Sequence, residues 1–261
     1  MRACALPLLL LATLPLVGCD APPVEWSEPL EITVPSGGSR LIVDAAGRPG
    51  FAPDSIRPVT APQVPGLCGS TLTTVGGTSH LFATWWSVRP DSSAILYSAA
   101  SADSGKTWGN PIAVDTADVS SRGCKRPPPS MTTVGDDMHV AYSMTASEGT
   151  GVFFAHFMGA MLHSPVAVIY GERLVPTAIA AEGDRIAVAY EEPNGKRQQI
   201  DVSVSETQGH IFETHAVATR SVDVATTPAI ALNGKMIAVG WTAHRLDASA
   251  SSRVVRTGRL K

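Results

Sequence analysis

Four arginines raise the first chemical question. Arg57, Arg126, Arg173 and Arg220 each stand shortly before an apolar run that reads as a β-strand, so the loops carrying them would gather at one end of the fold. A guanidinium offers a planar fork of N–H donors that matches a carboxylate or sulfate, and several converging on one mouth would hold an acidic ligand. The plainer reading of each is a solvated loop arginine. Tyr190-Glu191-Glu192 adds a tyrosine beside carboxylates. Tyr142, Tyr190 and Trp241 nevertheless recur at one phase of a repeat, which favours packing for Tyr190 over chemistry.

The remaining reactive side chains are few. His80 and His139 each lie four residues after a glycine at equivalent points of the repeat, with no carboxylate in matching phase, so neither a metal nor another cofactor is expected. Cys4 and Cys19 lie in the N-terminal segment, which leaves Cys68 and Cys124. If the chain is exported they meet an oxidising compartment, where a disulfide is the default; two free thiols or a shared ligand are the alternatives. The run Ser101-Ala-Asp-Ser-Gly-Lys-Thr-Trp108 is a polar cluster closed by a large aromatic, and reads equally as part of an active site or as a tied corner.

The elements that must position these groups come from a repeat. Segments 70–86, 129–144, 176–192 and 228–243 each give an apolar run, a glycine turn and a second apolar run, with Gly76, Gly135, Gly183 and Gly234 spaced 59, 48 and 51 residues apart. Further strand candidates follow at 94–101, 151–158 and 199–206, and outer ones at 107–114, 162–168 and 211–218. The spacing predicts an all-β fold, a β-propeller of four-stranded blades. Five blades fit the length; four are possible if 35–67 is one long insertion, and six would be crowded. Residues 25–34 match the outer-strand phrase, and 252–260 look like a third strand without a fourth. The N-terminal strand is therefore expected to complete the last blade and close the ring.

The N-terminus reads as an export signal. Arg2 precedes a short apolar stretch ending in Leu16-Val17-Gly18-Cys19, which resembles the lipobox of bacterial lipoproteins. The resemblance implies a signal peptide over 1–18, a lipid on Cys19, a tether over 19–24 and a single β-propeller domain over 25–261. The lipid would attach the protein to a membrane of the bacterial envelope, facing the periplasm. Asp20 resembles the inner-membrane retention signal of enteric bacteria, with the outer membrane as the alternative. A net charge of −3 and 16% charged residues give no basic surface for nucleic acid.

Ser101, Asp103, Gly105, Thr107 and Trp108 fill every defined position of the Asp-box, Ser-x-Asp-x-Gly-x-Thr-Trp, and so the chain resembles the sialidase-like superfamily, with its BNR repeats. There the box ties the hairpin between the third and fourth strands of a blade, away from the catalytic pocket, which implies a structural role. An exo-sialidase would add three arginines on the substrate carboxylate, an acidic proton donor and a tyrosine–glutamate nucleophile. Ser55-Ile-Arg-Pro58 is a scrambled form of the family's early Arg-Ile-Pro phrase, and only one intact Asp-box is present. The sequence thus favours a lipid-anchored binding or scaffolding module for a glycan, peptide or protein partner. Its rivals are a reduced sialidase-type hydrolase using Tyr190 with Glu191, and a subunit of an envelope complex with no small ligand.

Overall fold

The computed structural model describes residues 22–34, 39–53, 59–159, 161–195, 197–220, 224–244 and 251–261. Residues 1–18, Cys19 and Arg57 lie outside them. The described chain opens with β1 (Val24–Trp26) and β2 (Leu30–Ile32), followed by the hairpin of β3 (Ser39–Val43) and β4 (Pro49–Pro53). Sheet I comprises β5 (Thr73–Gly76), β6 (Leu81–Val88), β7 (Ala94–Ser101) and β8 (Ile112–Asp115). Sheet II comprises β9 (Ser130–Val134), β10 (Asp137–Ala146), β11 (Gly149–Met158), β12 (Met161–Leu162) and β13 (Val166–Gly171), the last two both pairing with β11. Sheet III comprises β14 (Thr177–Glu182), β15 (Arg185–Glu191), β16 (Ile200–Ser205) and β17 (Thr214–Val217). Sheet IV comprises β18 (Val224–Asn233), β19 (Met236–His244) and β20 (Ser252–Leu260), and β20 also pairs with both β1 and β2.

Glycine sets the entry hairpins. In sheets II, III and IV the first two strands are joined by two-residue turns, Gly135-Asp136, Gly183-Asp184 and Gly234-Lys235. Their glycines have φ of 65°, 56° and 57°, a region that costs a residue without Cβ little and that suits the twist of the flanking strands. The corresponding turn of sheet I is longer, 77–80, and leans on its neighbour: Asp136 Oδ1 accepts the N–H groups of Ser79 (2.8 Å) and His80 (3.3 Å).

Successive strand residues face opposite sides of a sheet, so the complete burial of adjacent Trp85 and Trp86 means that sheet I is covered on both faces. Trp86, Leu96, Val140, Tyr142 and Phe153 form the apolar layer between sheets I and II. Phe154, Ile179, Val188 and Tyr190 fill the layer between II and III. Val202, Ile237, Val239 and Trp241 lie between III and IV, and Leu41, Val43, Ala238 and Val255 between IV and the β3–β4 hairpin. Removing each large side chain from water contributes roughly 2–3 kcal/mol. The first strands of the sheets touch in the order β5, β9, β14, β18, β3, giving a propeller-like succession.

The expectation of a closed propeller of about five four-stranded blades is corrected here. Among the described residues, the five sheets are separate and open; none closes on itself, and they contain four, five, four, five and two strands. Among its described residues, the proline- and glycine-rich stretch 35–67 supplies one hairpin and no four-stranded unit, as expected where proline removes ladder donors. Among the described residues no apolar layer joins that hairpin to sheet I. Val64, Leu67 and Leu72 cover the outer face of sheet I around Trp85, and an open cleft of about 530 Å³ separates Arg40 of β3 from residues 74–81.

Candidate functional site

The loops that lead from one sheet to the next carry the described arginines, and Arg126 and Arg173 are engaged by acceptors of the protein itself. Arg126 has a wholly buried side chain: Nη2 donates to Asp118 Oδ1 (2.5 Å) and Ser120 O (2.7 Å), and Nη1 to Gly123 O. Arg173 donates through Nε (3.1 Å) and Nη2 (2.7 Å) to the Glu192 carbonyl, holding the 172–176 loop against the end of β15. Arg220 is about half exposed, with Nη1 3.9 Å from Glu28 Oε2. The guanidinium forks of Arg126 and Arg173 are therefore spent on main-chain carbonyls and Asp118.

Tyr190 is buried in the layer between sheets II and III, its hydroxyl 2.8 Å from Ser203 Oγ, which also lies 2.7 Å from His215 Nδ1. Burial pushes the phenol above its ordinary range, which disfavours the phenolate. Glu191 turns away, its Oε1 accepting the Thr227 N–H at 3.1 Å. Thr227 holds φ at 58°, a costly conformation for a β-branched residue, at the bulge that precedes Ala229.

Asp201, opposite Tyr190 across β15 and β16, is the perturbed carboxyl of this end. Burial, aided by the charge of Glu192 and opposed by a bond from Gln199, pushes it from 3.8 up to about 6. A raised native pKa means that the folded state holds the proton more tightly. Its contribution is full below about pH 4 and is lost as pH rises through 6. Urea titrations should show stability falling across this window in wild type and a flatter profile in Asp201→Asn.

The Asp-box forms a tied corner between β7 and β8. Asp103 accepts from Thr107 Oγ1 (2.6 Å), Thr107 N (2.9 Å), Ser101 Oγ (2.7 Å) and Lys106 N (3.1 Å), which holds its carboxyl well below the usual range. Ser101 Oγ accepts the N–H of Gly105 (2.8 Å), whose φ is 83°. Trp108 Nε1 donates to Thr60 O (2.6 Å) and the Thr60 N–H to Gly105 O (3.1 Å), so the box clamps the chain that enters sheet I. These bonds leave Asp103 a fixing role.

A second corner of this kind escaped the sequence reading. Between β16 and β17, Ser205 Oγ accepts the N–H of Gly209 (3.0 Å) and Thr207 Oγ1 that of Ile211 (3.2 Å), the bonds made by Ser101 and Asp103 in the first box. Thr207 replaces the aspartate and Phe212 the tryptophan, while His210 stands where Lys106 stands in the first box. The surviving Ser-x-x-x-Gly spacing was the available signal.

The histidines paired by sequence phase do not share a site. His80 sits at the surface with Nδ1 3.8 Å from Asp136 Oδ2, whereas His139 is buried beside His156, its partner across β10 and β11. Burial pushes His139 down to about 4. His156 is also pushed to about 4, first by burial and then by the charges of His163, His139 and His210. The structure instead brings together His156, His163 and His210, whose ligand atoms lie within 4.8 Å of one another. At the opposite end, Cys68 and Cys124 form a disulfide joining the chain before β5 to the loop before β9.

No protein-family model matches the chain, and neither does any curated protein. Among solved structures, the chain is similar to a Hadza microbial sialidase at 13% identity and a TM-score of 0.46, over 70% of this chain and 45% of that one. It is similar to a polysaccharide lyase at 7% identity and 0.46, over 73% and 45%, and to a protein of unknown function from Dyadobacter fermentans at 11% and 0.41, over 92% and 100%. The chain thus spans 45% of the length of the first two structures.

Proposed function

We propose that the chain is an exported protein of the bacterial envelope, anchored by a lipid on Cys19, that binds a glycan and does not cleave it. The observation that carries this reading is the state of the groups a sialidase-type hydrolysis would need: Arg126 and Arg173 are engaged by internal acceptors, and Tyr190 is buried and bonded to Ser203. The cleft beside sheet I supports a hydroxyl-rich ligand, because Arg40, Thr74, Thr78, Ser79, His80 and Ser104 line it.

Two measurements on one preparation test this. A fluorogenic sialoside should show no turnover, and a glycan array should retain the protein, with Arg40→Ala weakening retention at least tenfold. Turnover that disappears in Tyr190→Phe would reverse the reading in favour of hydrolysis, and retention unchanged in Arg40→Ala would remove the cleft from it.

A further inference from the structure

The geometry points to a metal site that the glycan reading does not use. We propose that His156, His163 and His210 bind one divalent transition ion, Zn²⁺, which clips sheet II to sheet III and keeps a fourth coordination position open to solvent.

Each ligand is delivered by a local structure that leaves it little choice. His156 lies near the end of β11, and the hairpin to β12 pairs Phe157 with Leu162. One residue further, the His163 N–H donates to the His156 carbonyl at 3.0 Å, so the two imidazoles lie side by side, ring centroids 4.4 Å apart. His210 comes from the neighbouring sheet on the Ser205–Phe212 corner. That corner is pressed onto β11: Phe212 packs edge-on against Phe154 with centroids 5.5 Å apart, and a Cβ on Gly209 would stand 2.0 Å from the Phe154 ring. Its imidazole therefore sits 5.1 Å from that of His156 and 5.4 Å from that of His163.

One atom of the cluster asks for a ligand. His156 is 2% exposed and its Nε2 has no hydrogen-bond partner, an expensive state for a polar nitrogen among apolar groups. A metal ion bound there satisfies it. Three imidazole nitrogens suit Zn²⁺ and its neighbours in the transition series, and not Ca²⁺ or Mg²⁺, which take oxygen. Zinc–nitrogen bonds of about 2.0–2.1 Å require donors roughly 3.4 Å apart. Small side-chain rotations of exposed His210 and half-buried His163 cover the remaining gap from 4.8 Å. The exposure of His210 places the fourth position toward water, the arrangement of an open zinc site.

The test is calorimetric titration of the full chain, free of any polyhistidine tag, with zinc chloride. One equivalent should bind, and His163→Ala and His210→Ala should each weaken it at least tenfold. Both side chains reach the surface, so circular dichroism should report unchanged folds. His244→Ala, at the end of β19 and outside both the cluster and the cleft, should bind as wild type. Cobalt chloride should give the visible absorption of a tetrahedral site in wild type, and that absorption should vanish in His210→Ala. Zinc binding that survives both cluster substitutions, or binding in wild type no tighter than in the double variant, would overturn the site.

Discussion

Replacing Arg126 with alanine is expected to lower the unfolding free energy by about 3–5 kcal/mol, the usual cost of stripping one partner from a buried ion pair. Asp118 and Arg126 both have side chains at 0% exposure, so the carboxylate left behind is cut off from bulk water. Asp118 is itself a hub: Oδ1 accepts the N–H groups of Ala94 (3.3 Å) and Ser120 (3.2 Å), and Oδ2 lies 3.5 Å from the Thr145 N–H. Its charge is thus fixed against sheets I and II and cannot swing out to solvent. The carbonyls of Ser120 and Gly123 lose their donor as well, and the guanidinium leaves the face of Trp86, from which it stands 5.9 Å.

At roughly 2–4 °C per kcal/mol for a chain of this size, the melting temperature should fall by about 6–20 °C in differential scanning calorimetry. Arg126→Lys keeps the charge without the fork and should fall between. The double variant Arg126→Met with Asp118→Leu removes both charges and should recover only the part due to the unpaired carboxylate, because the main-chain groups that Asp118 and Arg126 bond are then left without partners. A ligand-binding arginine would behave differently: its alanine variant would melt as wild type and lose glycan retention. Arg126→Ala melting with wild type would therefore return this residue to the list of binding candidates.

That contrast shows why some of this protein was legible in the sequence and some was not. Strands were legible because each is a short apolar run with a glycine turn beside it; the run read at 94–101 is β7, Ala94–Ser101. The polar run 101–108 was legible as a corner because its bonds are local, within four residues, except for the two that Gly105 and Trp108 make with Thr60. That the succession of sheets stays open was not legible. Whether 35–67 adds a fourfold sheet or a single hairpin depends on contacts with sheets I and IV, which periodicity does not encode.

The buried role of Arg126 was illegible for a related reason. A loop arginine reads the same whether it faces water or a carboxylate eight residues back, and Asp118 is buried only because Trp86, Ala94 and Thr145 of other strands surround its loop. The histidine cluster needed alignment of the third-to-fourth hairpins, where Ser205 and Gly209 repeat Ser101 and Gly105. Alignment on the entry glycines instead matched His80 with His139, one of which is exposed and the other buried.

Loss of the Cys68–Cys124 disulfide is expected to cost about 4 kcal/mol, the loop-closure entropy of a link between residues 56 apart. The bond ties the entry to sheet I to the loop that enters sheet II, across the apolar layer containing Trp86. Cys68 is 2% exposed and fixed by its N–H bond to Trp86 O (2.9 Å), so that end of the link stays in place on reduction. Cys124 is exposed and open to a reductant. The consequence falls on the 116–129 loop. The Arg126 N–H bonds to the Cys124 carbonyl at 2.9 Å, so the disulfide and the buried ion pair anchor the same few residues from two sides. Dithiothreitol, or Cys68→Ser with Cys124→Ser, should lower the melting temperature by about 8–16 °C. Added to Arg126→Ala, the double serine variant should cost less than the sum of the two losses, because either change alone already releases the loop that the other would free. Strict additivity in chemical denaturation would mean that the two anchors hold separate parts of the fold, and the loop would then have to be pinned by Asp118 through its main-chain bonds alone.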